Sequence, residues 1–90
     1  MPEPIRIVLI EDSEGDAVLV AEMLSDVPGD TFEINHFLRL GTGCEYLAEH
    51  TPDCVLLDLS LPDTHGDSAV EELRRWAPEV PLVVLSGTRD

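Results

Sequence analysis

Residues 54–59 read Cys-Val-Leu-Leu-Asp-Leu, a short aliphatic run with one carboxylate set inside it. A nearly unbroken apolar run of this length suits a strand covered on both faces. Asp58 is out of place there. A carboxylate between Leu57 and Leu59 loses its hydration and is kept in an apolar strand only where something compensates it. Outward from this segment, Ile5–Ile10 (IRIVLI) is a second such run and ends on Glu11-Asp12. Leu82–Leu85 (LVVL) is a third, opened by Pro81 and followed by Ser86-Gly87. Thr31 to Phe37 alternates instead, with Phe32, Ile34 and His36 on one side and Glu33 and Asn35 on the other. That pattern predicts a strand exposed on one face, hence at a sheet edge.

Helical stripes separate the strands. Ser13 precedes Asp16 by three residues, a capping-box pattern that opens a helix. Ala17, Val20, Ala21 and Leu24 then share one face, and Pro28-Gly29 stops the helix. Leu40, Cys44, Leu47 and Ala48 form a second stripe, with Gly41 and Gly43 weakening its start. Ala69, Val70, Leu73 and Trp76 mark a third, closed by Pro78, with Trp76 read as a packing residue. The order β-α-β-α-β-α-β has the rhythm of right-handed crossovers in a parallel sheet, so the expectation is one α/β domain.

Composition narrows the function classes. The chain has 90 residues, 19 acidic against 5 basic, a net charge of −14, and no lysine. Such a surface repels phosphate backbones and anionic lipid, so neither nucleic acid nor membrane is an expected partner. Hydrophobic residues at 43% with 4% aromatic suit an aliphatic core. Cys44 and Cys54 lack any paired spacing and read as buried reduced thiols. The opening Met-Pro-Glu-Pro leaves no room for a signal peptide before Glu11, and a cytoplasmic location is expected.

In open parallel sheets, ligands sit at the carboxyl ends of the strands. If the first and third strands are neighbours, Glu11, Asp12 and Asp58 converge there, with Ser86 at the end of the fourth. Like charges so close are costly unless a cation enters or a proton is shared. A hard divalent cation with oxygen ligands resolves this, and magnesium suits phosphoryl chemistry best. An aspartate is also a competent nucleophile toward phosphorus, and a serine hydroxyl can donate to a phosphoryl oxygen. Singly, Glu11-Asp12 reads as a solvated capping turn and Ser86-Gly87 as an ordinary turn. Their co-location carries the functional reading.

The segments IVLIEDSEGD (7–16), DCVLLDLSLPDTHG (53–66) and VPLVVLSGTRD (80–90) resemble a response-regulator receiver domain of the CheY-like kind, the phospho-accepting module of two-component signalling. The resemblance implies a flavodoxin-like doubly wound parallel sheet with strand order 2-1-3-4. It makes Asp58 the phosphoacceptor and Ser86 the switch hydroxyl. Asp12 and Asp58 would hold magnesium directly, Glu11 mainly through water, and the Ser60 backbone carbonyl would complete the set. Pro62 and Gly66 match the turn that shapes the following loop. The implied partner is a histidine kinase or phosphotransfer protein, packing on the first helix at about Glu14 to Ser25, and an output domain beyond residue 90 fits the family. The family continues with a further helix, strand and helix, and its phosphoryl-pairing lysine has no counterpart in these residues. Residues 1–90 therefore read as a receiver domain incomplete at its C-terminus, with Leu82–Leu85 either cut off from its neighbour or covered by another copy in self-association.

Two rival readings remain at this level. One is a receiver-like docking module that carries no phosphate. The other is a metal-dependent phosphatase, which would need a second acid/base group near Asp58 where Leu59-Ser60 supplies none. The resemblance implies no turnover enzyme, only the domain's own phosphotransfer and autodephosphorylation. Gly41-Thr42-Gly43 lacks the third glycine of a dinucleotide fingerprint. His36, His50 and His65 lack metal-ligand spacing and read as surface or edge residues, with His65 placed to modulate the site near neutral pH.

Overall fold

Four consecutive residues, Ile7, Val8, Leu9 and Ile10, are buried, and this forces their strand into the middle of the sheet. The computed structural model describes residues 3–58 and 66–85. The elements run β1 (Ile5–Ile10), α1 (Glu14–Ser25), β2 (Phe32–Phe37), α2 (Leu40–Leu47), β3 (Cys54–Asp58), α3 (Gly66–Trp76) and β4 (Leu82–Leu85). The sheet order is β2-β1-β3-β4 and every pairing is parallel. The doubly wound order is the one the resemblance implies, and β2 stands at the edge as its alternation predicts. The face expected to be exposed is not: Asn35 and Phe37 are half-buried, and only Glu33 is exposed along β2.

Register positions the chemistry. Ile10 lies opposite Leu57 in the β1–β3 pairing, so the next residues, Glu11 and Asp58, stand side by side where the two strands end. On one face Val8, Ile10, Val55 and Leu57 pack with Leu40, Cys44 and Leu47 of α2 and with Ala69 and Leu73 of α3. Each fully buried aliphatic side chain contributes about 1.5–3 kcal/mol relative to exposure. Gly43 explains how α2 comes so close, because a Cβ there would lie 2.7 Å from Cδ1 of Ile10. The glycine that weakens the helix start as a sequence signal is the one that seats the helix on β1.

The opposite face is covered by α1, through Ala17. The predicted cap is present: the Ser13 hydroxyl accepts the Asp16 N–H at 3.2 Å. The helix ends at Ser25, capped by Asp26, and Gly29 adopts φ +88°, which a residue with a side chain rarely takes.

Several expectations need correction. Thr31 lies outside β2, although its carbonyl accepts the Ile5 N–H at 2.8 Å. Ala48 is exposed, because α2 ends at Leu47 and Ala48 is its C-cap. Trp76 is 44% exposed, and its indole N–H donates to Glu72 at 2.9 Å. The core site it was expected to fill is taken by Ala77, four residues after Leu73, together with Val80. Cys54 is half-buried, not buried like Cys44; neither forms a disulfide, and burial followed by the charge of Asp53 pushes the Cys54 thiol up. Leu59, Ser60, Pro62, His65 and Ser86 lie outside the described residues.

Candidate functional site

The site begins where the β1 ladder runs out. The Glu11 N–H still donates to the carbonyl of Phe37, at 3.0 Å, so β1 keeps its direction one residue past its last paired position. The chain then turns through Asp12 into the Ser13 cap of α1. The Ser13 N–H donates to Oε2 of Glu11 at 3.2 Å, placing that carboxylate at the helix entrance. Asp58 closes β3 beside it.

Glu11 and Asp58 are 4% and 2% exposed, the buried charged residues among those described, whereas Asp12 is exposed. One carboxylate oxygen from each of the three lies within 4.8 Å of the others. Burial is the main force on Glu11, raising its pKa from 4.5 to about 7. Hydrogen bonding with the Asp58 carboxyl adds to the rise, the Ser13 N–H opposes it, and the Asp58 charge and the Asp12 side chain raise it further. Three clustered carboxylates in so little water resist being charged together. A cation would remove that conflict. The donor set is all oxygen, which fits a hard ion such as magnesium or calcium and not zinc or copper. The predicted convergence of Glu11, Asp12 and Asp58 is therefore present, while the predicted contributions of Ser60 and Ser86 fall outside the described residues.

One neighbour escaped the sequence reading. Nε2 of His36, on β2, lies 2.6 Å from the backbone carbonyl of Glu11. Alternation places His36 on the same side of β2 as Ile34, and the register sets it opposite Leu9. The parity was legible in the sequence, whereas its nearness to Glu11 depends on the register. The same side of β2 forms, with α1, a groove of about 470 Å³ lined by Leu9, Ala17, Val18, Ile34 and His36 among others. Among the described residues, no helix is long and apolar enough to cross a membrane.

Comparison with known proteins bears on this arrangement. The family model for the response regulator receiver domain matches residues 7–90. The KDP operon transcriptional regulatory protein KdpE of Escherichia coli is 31% identical over 81 residues, covering 90% of this chain and 34% of the relative. The response regulator Rre1 of Synechocystis is 31% identical over 88 residues, covering 96% of this chain and 37% of the relative. The chain thus spans about a third of the length of these curated relatives. A protein-glutamate methylesterase/protein-glutamine glutaminase of Treponema denticola is 28% identical over 85 residues, with 22% of its length covered. Among solved structures, the phosphorylated cyanobacterial phytochrome response regulator RcpA matches with a TM-score of 0.77 at 26% identity, over 98% of this chain and 69% of that one. A CheY-like receiver domain from Methylobacillus flagellatus has the same fold, with a TM-score of 0.80 at 24% identity over 96% of this chain and 72% of that one.

Proposed function

The chain belongs to the response-regulator receiver family, and on that premise we propose that it accepts a phosphoryl group on Asp58 and relays a signal by conformational switching. The observation that carries the proposal is the trio of carboxylates at the ends of β1 and β3, two of them buried, with oxygens within 4.8 Å. Glu11, Asp12 and Asp58, with the Ser60 backbone carbonyl, would hold magnesium. When bound, the ion supplies positive charge that offsets the trio and the incoming phosphoryl oxygens. An Asp58 carboxylate oxygen attacks phosphorus of a donor phosphohistidine. The P–N bond breaks, an acyl phosphate forms, and the departing imidazole takes a proton from solvent. The Ser86 hydroxyl then donates to a phosphoryl oxygen and biases a two-state equilibrium.

The donor is a histidine kinase or phosphotransfer protein in the cytoplasm, and the output passes to a region beyond residue 90. Residues 1–90 act as a single receiver unit with no small-molecule turnover of their own. Among the described residues Leu82–Leu85 stands at an edge of the sheet, and its apolar side chains suit pairing with a second copy. The methylesterase likeness concerns a fifth or so of that relative's length, so it supports the receiver reading more than an esterase activity.

Intact mass after incubation with a small acyl-phosphate donor tests the proposal. The expected result is a gain of one phosphate that requires magnesium and is absent in Asp58→Asn. A gain that persists in Asp58→Asn would move the acceptor elsewhere. Magnesium binding without any gain, from this donor or from a phosphorylated histidine kinase, would favour a docking module.

A further inference from the structure

Besides its hydrogen bonding with the other carboxylates, Glu11 is tied to its surroundings by three bonds. Its N–H donates to the Phe37 carbonyl at 3.0 Å, its carbonyl is met by Nε2 of His36 at 2.6 Å, and its Oε2 accepts the Ser13 N–H at 3.2 Å. Two of these three ties come from β2, an edge strand that carries none of the carboxylates. In a parallel ladder, the residue that donates to Phe37 would receive its next bond from the backbone N–H two positions on, at Arg39. Here β2 ends at Phe37, and Arg39 is already the N-cap of α2. The imidazole takes the place of that next rung. A carbonyl oxygen can only accept, so at 2.6 Å the proton of this bond sits on Nε2.

The bond reaches further than Glu11. The peptide joining Glu11 to Asp12 is planar, so the direction of its carbonyl fixes the opposite direction of the Asp12 N–H and the point from which the Asp12 side chain departs. Asp12 is the exposed member of the trio, whereas Glu11 and Asp58 are constrained by burial. Apart from its side-chain hydrogen bond with Glu11, its placement rests on its backbone. We propose that His36 is a positioning residue of the acidic site: its Nε2–H holds the Glu11–Asp12 peptide and thereby aims the Asp12 carboxylate at the point shared with Glu11 and Asp58. Its effect on cation binding rests on the cation reading proposed above, whereas the bond itself does not.

Two variants and two kinds of readout test it. His36→Gln places an amide N–H near the position of Nε2, and His36→Leu keeps bulk without a donor. Without any cation, the ring nitrogen spectrum of the wild type should show the proton on Nε2, and the Asp12 amide resonance should shift in His36→Leu and return in His36→Gln. Titration with magnesium alone should then show about five-fold weaker binding in His36→Leu, with His36→Gln within about two-fold of wild type. A neutral ring protonated on Nδ1 would overturn the proposal. So would an Asp12 resonance unmoved in His36→Leu, or a His36→Gln variant no better than His36→Leu. If His36→Leu does not fold, the wild-type ring spectrum and His36→Gln still decide. Should the wild type fail to bind magnesium, the cation reading falls, while the two cation-free readouts still judge His36.

Discussion

The two edges of the sheet are built differently. β2 pairs with β1 along six residues, points Glu33 to solvent opposite Arg6, and hands two hydrogen bonds to Glu11 before turning into α2. β4 is four residues long and entirely aliphatic. Val83 and Val84 sit opposite Leu56 and Leu57, so they point to opposite faces of the sheet, and they are 46% and 43% exposed. β2 has the composition of a finished edge. β4 has that of an interior strand, apolar on both sides, standing at an edge. Both strands stand at edges of the described sheet, so position in the sheet alone does not set their composition. The contrast bears on function too, since β2 carries the His36 bond to the Glu11 carbonyl and β4 is the strand on which the proposed pairing with a second copy would fall.

The largest effect should come from the interior strands on which both edges depend. Leu57→Ala removes a fully buried side chain from β3 and should cost about 2–5 kcal/mol in denaturant unfolding. A loss near that of an exposed site would mean that β3 is not the structural centre.

The next effect is electrostatic and lies beside the β2 edge. The Glu11 carboxyl is raised in the folded state from 4.5 to about 7. Its contribution to stability is therefore full below about pH 4.5 and lost as pH rises through about 7. Cation-free protein should lose up to about 3 kcal/mol between pH 5 and pH 8, and Glu11→Gln should remove that part of the slope. Because Asp12 and Asp58 face the same point, magnesium should also flatten the profile. An unchanged slope in Glu11→Gln would assign it to the general acidic surface instead.

Smaller effects separate the edges themselves. Val83→Lys should change stability by no more than about 1 kcal/mol yet suppress association, read by sedimentation velocity at increasing concentration. A wild type that stays monomeric throughout would remove β4 as a self-pairing surface. Glu33→Ala, at the finished edge, breaks a 3.9 Å pair between two exposed side chains and should change stability by less than about 0.5 kcal/mol. A larger loss would show that β2 depends on its charge pairing, and the contrast between the edges would narrow.

Local patterns were sufficient for much of this molecule. The aliphatic runs Ile5–Ile10 and Leu82–Leu85 and the Ser13 cap reappear as read, because each is set by side-chain periodicity or by hydrogen bonds a few residues apart. The alternation of β2, by contrast, does not leave one face exposed, since Asn35 is half-buried and Phe37 packs against the core. The carboxylates Glu11, Asp12 and Asp58 stood out in the sequence for the same reason, as charge at or within apolar strand ends. What the tertiary structure decided was adjacency. Glu11 stands beside Asp58 because β1 pairs with β3 in one register, and a slip by one residue would have turned one of them to the other face. Gly43 is explained by the approach of α2 to Ile10, Trp76 is displaced because Ala77 and Val80 fill the core first, and His36 reaches Glu11 only because β2 lies on that side of β1. Periodicity is a property of one segment, whereas register and neighbourhood come from the summed packing of segments distant in the chain. That is why the acidic residues were legible in the sequence and the histidine that steadies them was not.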